Sequence, residues 1–269
     1  MLCENKLIPY HSVDPTGRRV LVLAPHPDDE TFGCGGTLAR HTAAGDPVRV
    51  IILTDGSKGD FSDRYQPVEY QQIRQQETKR ACKILGVEDL HFWPFKDRQL
   101  TTAIPEAQSM LSDVLNNYQP QRVYAPSMLE FHPDHRATAH LLIRVLSQLS
   151  LDMEIAFYEI NQPLCINSLV DITQVLRLKK KAIAAYDSQL AEQDYDEYVL
   201  ALNRFRSQTL PSTISHAEGF SLWPAAAIRR WLSLTITTGP LKHLISSGYT
   251  GIFERQLPFL EYWYGLKTS

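Results

Sequence analysis

Residues 20–30 of this 269-residue chain read VLVLAPHPDDE, and this stretch decides the fold. Five apolar residues end in a Pro-His-Pro turn, and three acidic residues then open a longer stretch of helical period. A short apolar run, a polar turn and an amphipathic segment are typical of the strand and helix of a βαβ unit. The stretch therefore predicts a buried strand at residues 20–24 and a helix directly after it.

The same alternation continues along the first half of the chain. Further buried strands are predicted at residues 48–53, 90–93, 122–125 and 155–160. Helices are predicted at residues 30–44, 68–85, 105–118 and 135–149, with Gly45 and Gly86 as stops after the first two. Because βαβ connections are right-handed, the pattern predicts an α/β fold with a Rossmann-like, doubly wound, mostly parallel sheet.

After about residue 161 the alternation stops, and residues 170–186 and 191–206 are predicted to be helical. No linker rich in Gly, Ser or Pro separates the two parts. The pattern favours one domain over residues 1–269, with a core at about 19–161 and a C-terminal helical extension at about 165–269. The lysine run at 179–181 is expected to lie on a solvated helix face.

Composition narrows the function classes. Apolar residues at 43% and charged residues at 21% are ordinary values for a folded globular chain. A net charge of −3 provides no global positive field, so nucleic-acid binding is not expected. The four cysteines form no CxxC pair, and the sequence contains neither a signal peptide nor an apolar membrane span. We therefore expect a cytoplasmic protein.

A first cluster of chemically capable side chains follows the first strand. In open parallel sheets, ligands bind beyond the carboxyl ends of the strands. His26 and Asp29 lie three residues apart on that turn and together suit zinc or iron, while Asp28 remains available as a base. The alternative is that Asp28 or Asp29 only caps the helix. Capping accounts for one carboxylate, but not for a histidine with two.

A second cluster, His132, Asp134 and His135, follows the fourth strand. If the strands are parallel, it emerges at the same edge of the sheet as His26 and Asp29. Two histidines three residues apart, with an acid that accepts a hydrogen bond from one imidazole, indicate a metal ligand beside an oriented acid or oxyanion donor. An isolated histidine pair would usually be incidental, but its convergence with the first cluster favours one site.

Residues 23–30, the Gly35-Gly36 pair and residues 132–135 together resemble the zinc-dependent PIG-L/LmbE family of de-N-acetylases. The resemblance extends from about residue 19 to 161, with a weaker match at residues 217–220. One departure is Pro25, where the family often has Ala. The spacing of the polar residues is intact despite this change.

The resemblance implies that His26, Asp29 and His135 bind Zn²⁺, with Fe²⁺ or another divalent metal as the alternative. Three protein ligands leave a coordination position for water, whose pKa zinc lowers to about 7. Asp28 would be the general base. His132, as a positively charged imidazole oriented by Asp134, would stabilise the oxyanion.

The resemblance also suggests that Arg74 and Asp97 contact the substrate. For Arg74, a surface ion pair with Glu77 is an equally weighted alternative. For Asp55, in an Asp-Gly pair, a turn-forming role is favoured.

The implied reaction removes acetyl from an N-acetylglucosamine-type sugar in a glycoconjugate and releases acetate and a free amino sugar. The alternatives are a metal-dependent amidase on a larger sugar or thiol conjugate and a non-catalytic sugar-binding protein. Dinucleotide binding has little support, since HPDDE replaces the GxGxxG turn. The aromatic C-terminal region, including Trp223, Trp231 and Trp263, is expected to form core or a homo-oligomer contact, with peripheral membrane contact as a sharper alternative.

Overall fold

The computed structural model describes residues 4–6 and 8–237 of the chain. These residues form a seven-stranded sheet with the strand order β3-β2-β1-β4-β5-β7-β6. The strands are β1 (Val20–Ala24), β2 (Val48–Thr54), β3 (Asp89–Phe95), β4 (Arg122–Pro126), β5 (Glu154–Tyr158), β6 (Ser168–Asp171) and β7 (Ala217–Pro224). Strands β1 to β5 pair in parallel, whereas β7 pairs antiparallel with β5 and β6.

Helices cover both faces of this sheet, as the doubly wound prediction requires. They are α1 (Asp29–Ala43), α2 (Pro67–Leu85), α3 (Ile104–Tyr118), α4 (Pro133–Leu146), α5 (Leu176–Ile183), α6 (Asp187–Leu190), α7 (Tyr195–Arg206) and α8 (Ala225–Thr237). One core contains Leu38 of α1 and Leu85 of α2, and the other contains Leu111 of α3 and Leu142 of α4. The α/β fold and its mostly parallel sheet are confirmed.

The five strands predicted from apolar runs all form, with ends that differ by two residues at most. Strands β1 and β4 are buried along their whole length, and β1 accordingly reads as a continuous apolar segment. Strand β4 begins with Arg122, whose guanidinium donates to Glu154 at 2.7 Å. Strands β1 and β4 are also neighbours in the sheet. The strand order reverses direction between them, and this switch point is where open α/β sheets bind ligands.

The prediction of a purely helical C-terminal extension is incomplete. Residues 168–171 form strand β6 and residues 217–224 form strand β7, so the helix predicted from residue 170 begins only at Leu176. Strand β7 covers the backbone edge of β5, which would otherwise be unpaired. Strand β6 has only four residues, and β7 mixes polar and apolar residues, so neither shows a clear alternation of apolar and polar positions. Both strands also pair with segments that are distant in sequence.

Helix α1 approaches the sheet closely at its kink. Cys34 has φ −142° and interrupts the helical geometry. A Cβ on Gly33 would overlap the ring of Tyr158, so only glycine fits there. The hydroxyl of Tyr158 in turn donates to the carbonyl of Leu23 at 2.8 Å. This packing fixes the start of α1, which carries Asp29, against β1 and β5.

Among residues 4–6 and 8–237, no helix combines the length and the apolar character that crossing a membrane would need. The aromatic residues Tyr249, Phe253, Phe259, Tyr262, Trp263 and Tyr264 lie outside the described residues. The expectations about a homo-oligomer or membrane contact through that region therefore stay predictions.

Candidate metal and active site

Three donor atoms from the two sequence clusters meet at the switch point between β1 and β4. Nδ1 of His26 lies 3.1 Å from Nε2 of His135 and 3.2 Å from Oδ2 of Asp29. Nε2 of His135 lies 3.2 Å from the same Asp29 oxygen. All three side chains are buried. The three atoms thus form a nearly equilateral triangle, in which His135 lies more than 100 positions in sequence from His26 and Asp29.

The triangle fits a divalent metal ion. Zinc–nitrogen bonds of about 2.0–2.1 Å in a tetrahedral site separate neighbouring ligand atoms by roughly 3.3 Å, close to the spacing seen here. Two imidazoles and one carboxylate are also donors that zinc and iron(II) accept. The Asp29 oxygen is held in place by the backbone N–H of His26 at 2.8 Å. The residues present therefore suit the metal that the resemblance implies.

Two wider donor sets share His26 with the triangle. His26, His132 and His135 offer ligand atoms within 4.8 Å of one another, as do His26, Asp97 and Asp134. In the second set the contacts are made by the other ring nitrogen: Nε2 of His26 lies 3.3 Å from Oδ1 of Asp97 and 3.4 Å from Oδ2 of Asp134. This arrangement allows Asp97 and Asp134 to orient the His26 ring while Nδ1 faces the triangle.

Asp28 lies beside the triangle with a strained backbone and a buried carboxylate. Its φ of 146° is outside the regions that residues with a Cβ normally adopt, and such strain is typically retained at functional sites. Burial raises the pKa of Asp28 to about 8, although the positive charge of Arg74 opposes this rise. A carboxylate that titrates near neutral pH suits a general base.

Arg74 of α2 is buried against Asp28. Its Nη2 donates to Oδ2 of Asp28 at 2.9 Å and to the carbonyl of Pro27 at 2.6 Å. Glu77, the partner in the alternative interpretation, instead accepts from the backbone N–H and hydroxyl of Ser188. The alternative prediction, a surface ion pair between Arg74 and Glu77, is therefore wrong. The guanidinium lines the site, but it does so as the partner of the proposed base.

His132 and Asp134 make contacts that differ from the expected ones. Nδ1 of His132 accepts from the backbone N–H of Asp134 at 3.2 Å. The carboxylate of Asp134 accepts from the backbone N–H groups of Arg98 at 2.5 Å and Leu100 at 3.2 Å. It therefore does not orient His132 as the resemblance implied. Burial and the nearby charge of His26 lower the pKa of His132 to about 4, which favours a neutral imidazole.

Asp97 is held by protein contacts as well. Its Oδ2 accepts from the backbone N–H of Lys58 at 2.9 Å, and its Oδ1 faces His26. Burial alone would raise the pKa of Asp97, but the contact with His26, the positive charge of that residue and the hydrogen bond from Lys58 together outweigh burial and lower the pKa. Asp55 accepts from the backbone N–H of Ser57, as its turn-forming interpretation anticipates, and it also accepts from the backbone N–H of Asp97 on another loop.

Sequence reasoning missed a buried ion pair that supports α1. Nζ of Lys179 lies 2.6 Å from Oε1 of Glu218, and both side chains are fully buried. Glu218 also accepts from the backbone N–H groups of Gly36 at 2.8 Å and Thr37 at 2.7 Å. The interpretation of Lys179 as solvated is wrong, whereas Lys180 is exposed. The weak match at residues 217–220 was the available signal for Glu218.

An open cavity leads to this site. Its floor contains the metal-site triangle, Asp28 and His132. Its walls are lined further out by Lys58, Phe61, Arg98, Asn161, Gln189 and Tyr195.

Comparisons with known proteins identify the family to which this chain belongs. The family model PIG-L, described as GlcNAc-PI de-N-acetylase, matches residues 21–146, which include both clusters. Diacetylchitobiose deacetylase of Thermococcus kodakarensis is 31% identical over 194 residues, covering 65% of this chain and 71% of that protein. The chain therefore belongs to the PIG-L family, and the resemblance seen in the sequence is confirmed.

Two further comparisons extend beyond the matched core. A probable N-acetyl-alpha-D-glucosaminyl L-malate deacetylase 2 of Bacillus anthracis is 28% identical over 225 residues, covering 77% of this chain and 94% of that protein. The solved structure of N,N'-diacetylchitobiose deacetylase from Pyrococcus horikoshii matches with a TM-score of 0.69 and 28% identity, covering 85% of this chain and 89% of that one. Both are deacetylases by name.

Proposed function

We propose that this protein is a metal-dependent hydrolase that removes the acetyl group from an N-acetylglucosamine-type sugar. The observation that carries the proposal is the position of the buried Asp28 carboxylate beside the triangle of His26, Asp29 and His135, at the floor of an open cavity. The relatives named as deacetylases of N-acetylglucosamine compounds support the same reaction class.

His26, Asp29 and His135 would hold the metal, with zinc as the first choice and iron(II) as the alternative. When bound, the metal supplies Lewis-acid polarisation and lowers the pKa of water to about 7. Asp97 and Asp134 fix the ring of His26 from its far side. The protein thus contributes donor atoms whose positions are set before the ion arrives.

Asp28 takes the proton of the attacking water and later returns it to the nitrogen of the departing amine. A pKa near neutrality makes both transfers accessible to the same carboxyl group. Since Nδ1 of His132 accepts a backbone hydrogen bond, its neutral ring carries the proton on Nε2. That N–H donates to the carbonyl oxygen as negative charge develops on it. The products are acetate and a free amino sugar.

The residues of the cavity wall would bind the sugar. The guanidinium of Arg74 already binds Asp28, and the carboxylate of Asp97 already contacts Lys58 and His26. Any contact of these two side chains with the sugar is therefore secondary to these roles. Phe61 is 63% exposed and lines the cavity, which suits stacking on an apolar sugar face. The group attached to the sugar would extend along this wall.

The rival reactions share the catalytic residues and differ in the acid released. The test is incubation of the zinc-loaded, full-length protein with N-acetylglucosaminides and with larger N-acylated conjugates. We expect acetate and a stoichiometric primary amine. Release of a longer acid would favour the amidase alternative, and sugar binding without turnover would favour the binding protein.

The matched variant is Asp28→Asn, which keeps the shape of the side chain. We expect it to retain bound metal and to lose roughly 10²–10⁴-fold in turnover, the usual contribution of a general acid-base group. Asp55→Asn is the control, because Asp55 is a buried carboxylate paired with Lys96 and lies outside the triangle. Turnover of Asp28→Asn at the wild-type rate would contradict the proposed mechanism.

A further inference from the structure

Glu130 is a buried carboxylate next to the proposed metal site that the mechanism above does not use. It lies on the loop between β4 and α4 and is 1% exposed. Its carboxylate accepts from the backbone N–H groups of Ile160 at 3.0 Å and Asn161 at 3.2 Å. Within the described part of the chain, no lysine or arginine side chain contacts this carboxylate. The basic group that faces it is the imidazole of His135.

The two nitrogens of His135 face different partners. Nε2 points into the triangle with His26 and Asp29, whereas Nδ1 lies 3.4 Å from Oε2 of Glu130. A neutral imidazole presents a lone pair on one nitrogen only when the other nitrogen carries the proton. A carboxylate facing Nδ1 favours the proton there and leaves Nε2 free to bind a cation.

We propose that Glu130 is a positioning residue that holds His135 as the Nδ1–H tautomer and thereby sets the affinity of the site for its metal. This inference rests on the proposed function only in taking His135 as a metal ligand. The same carboxylate binds the turn at residues 160–162, and Asn161 of that turn lines the cavity. Glu130 therefore ties the cavity wall to the metal ligand.

The competing interpretation is that Glu130 only secures the turn. Glu130→Gln separates the two roles, because a glutamine carbonyl still accepts from Ile160 and Asn161 but has no negative charge to hold the His135 proton. Glu159→Gln is the matched control. Glu159 is also a buried glutamate of this region, but its partners are Arg206 and the backbone N–H of Leu164 rather than His135.

The experiment measures Zn²⁺ affinity of the full-length protein by competition with a chromogenic chelator, without any substrate. We expect Glu130→Gln to bind Zn²⁺ about 10- to 100-fold more weakly than wild type, the usual effect of losing such a partner. Glu159→Gln should bind like wild type. Wild-type Zn²⁺ affinity in Glu130→Gln would overturn the proposal, as would equal weakening in both variants.

A second measurement uses the wild-type protein and so does not depend on the variant folding. Nitrogen NMR of ¹⁵N-histidine-labelled, Zn²⁺-loaded protein reports which ring nitrogen of His135 carries the proton. A protonated Nδ1 supports the proposal, and an unprotonated Nδ1 overturns it. Neither readout involves deacetylation, so a failure of the proposed reaction and a failure of this inference are distinguishable.

Discussion

Arg74 donates a hydrogen bond to Asp28 at 2.9 Å, which places a buried cation directly beside the proposed general base. The same guanidinium binds the carbonyl of Pro27, so it also supports the strained turn that precedes α1. Both partners are nearly inaccessible to solvent. The pair is therefore screened little by salt and fixes both the orientation and the charge of Asp28.

Replacing Arg74 with Gln should impair the base without removing it. We expect kcat/KM to fall by about 10²-fold, since a displacement of roughly 1 Å at a reacting group costs that much. The positive charge of Arg74 lowers the pKa of Asp28, so its loss should move the acidic limb of the pH profile to higher pH. The measurement is kcat/KM against pH.

The control for this substitution is Arg80→Gln. Arg80 lies on the same helix, but its guanidinium is half exposed and donates to the carbonyl of Ala185. It should leave the pH profile in place. An Arg74→Gln profile that superimposes on the wild-type profile would show that Arg74 does not govern Asp28.

Removing a proposed ligand should abolish the response of stability to metal. A ligand that binds only the folded state raises its stability, by about 2.7 kcal/mol at 100 times Kd. Chelation should therefore lower the Tm of the wild-type protein and leave that of His135→Ala unchanged. Elemental analysis should find about one divalent ion per wild-type chain and a marked loss in His135→Ala.

His140→Ala is the matched control, because His140 lies on the same helix and is outside the triangle. It should keep the metal and its chelation-sensitive Tm. Metal retention by His135→Ala equal to that of His140→Ala would mean that the two sequence clusters do not form one metal site.

The buried Lys179–Glu218 pair should be sensitive to loss of one partner. Lys179→Met leaves the Glu218 charge without its cation in the interior, and we expect a loss of about 3–5 kcal/mol in the free energy of unfolding. Adding Glu218→Gln should recover part of this loss, because the two residues interact directly. Urea unfolding of the single and double variants gives the coupling energy.

Lys180→Met controls for the loss of a lysine from the same helix, since Lys180 is exposed. We expect its unfolding free energy to stay within about 0.5 kcal/mol of wild type. Strictly additive losses in the double variant would contradict a direct interaction between Lys179 and Glu218.

His41 should make the fold sensitive to acid. It is buried between Asp46 and the hydroxyl of Tyr124, and burial lowers its pKa below the ordinary 6.5 although Asp46 opposes the shift. Below pH 6.5 the unfolded chain therefore binds a proton that the folded state does not, and stability falls as the pH falls. His41→Gln should reduce this slope below about pH 6.5, measured by urea unfolding.

His11 lies outside the core and provides the comparison. His11→Gln should leave the slope unchanged. An unaltered slope in His41→Gln would mean that other groups account for the acid sensitivity.

The sequence predicted the parallel core and the meeting of its two polar clusters because both depend on local patterns. Apolar runs specify buried strands, and the segments that follow β1 and β4 carry His26, Asp29 and His135, with Asp29 and His135 in the first turns of α1 and α4. Parallel pairing then brings those strand ends to one edge. Predicting that the two clusters meet therefore required no knowledge of contacts between residues distant in sequence.

The partners of the buried side chains were decided only by the tertiary structure. Arg74 reaches Asp28 across 46 residues, Lys179 reaches Glu218 across 39, and Glu130 lies against a turn 30 residues away. Strands β6 and β7 likewise join the sheet through long-range antiparallel pairs. Such pairings depend on which groups are desolvated together, and a charge in the interior binds whichever opposite charge or N–H packing brings near it.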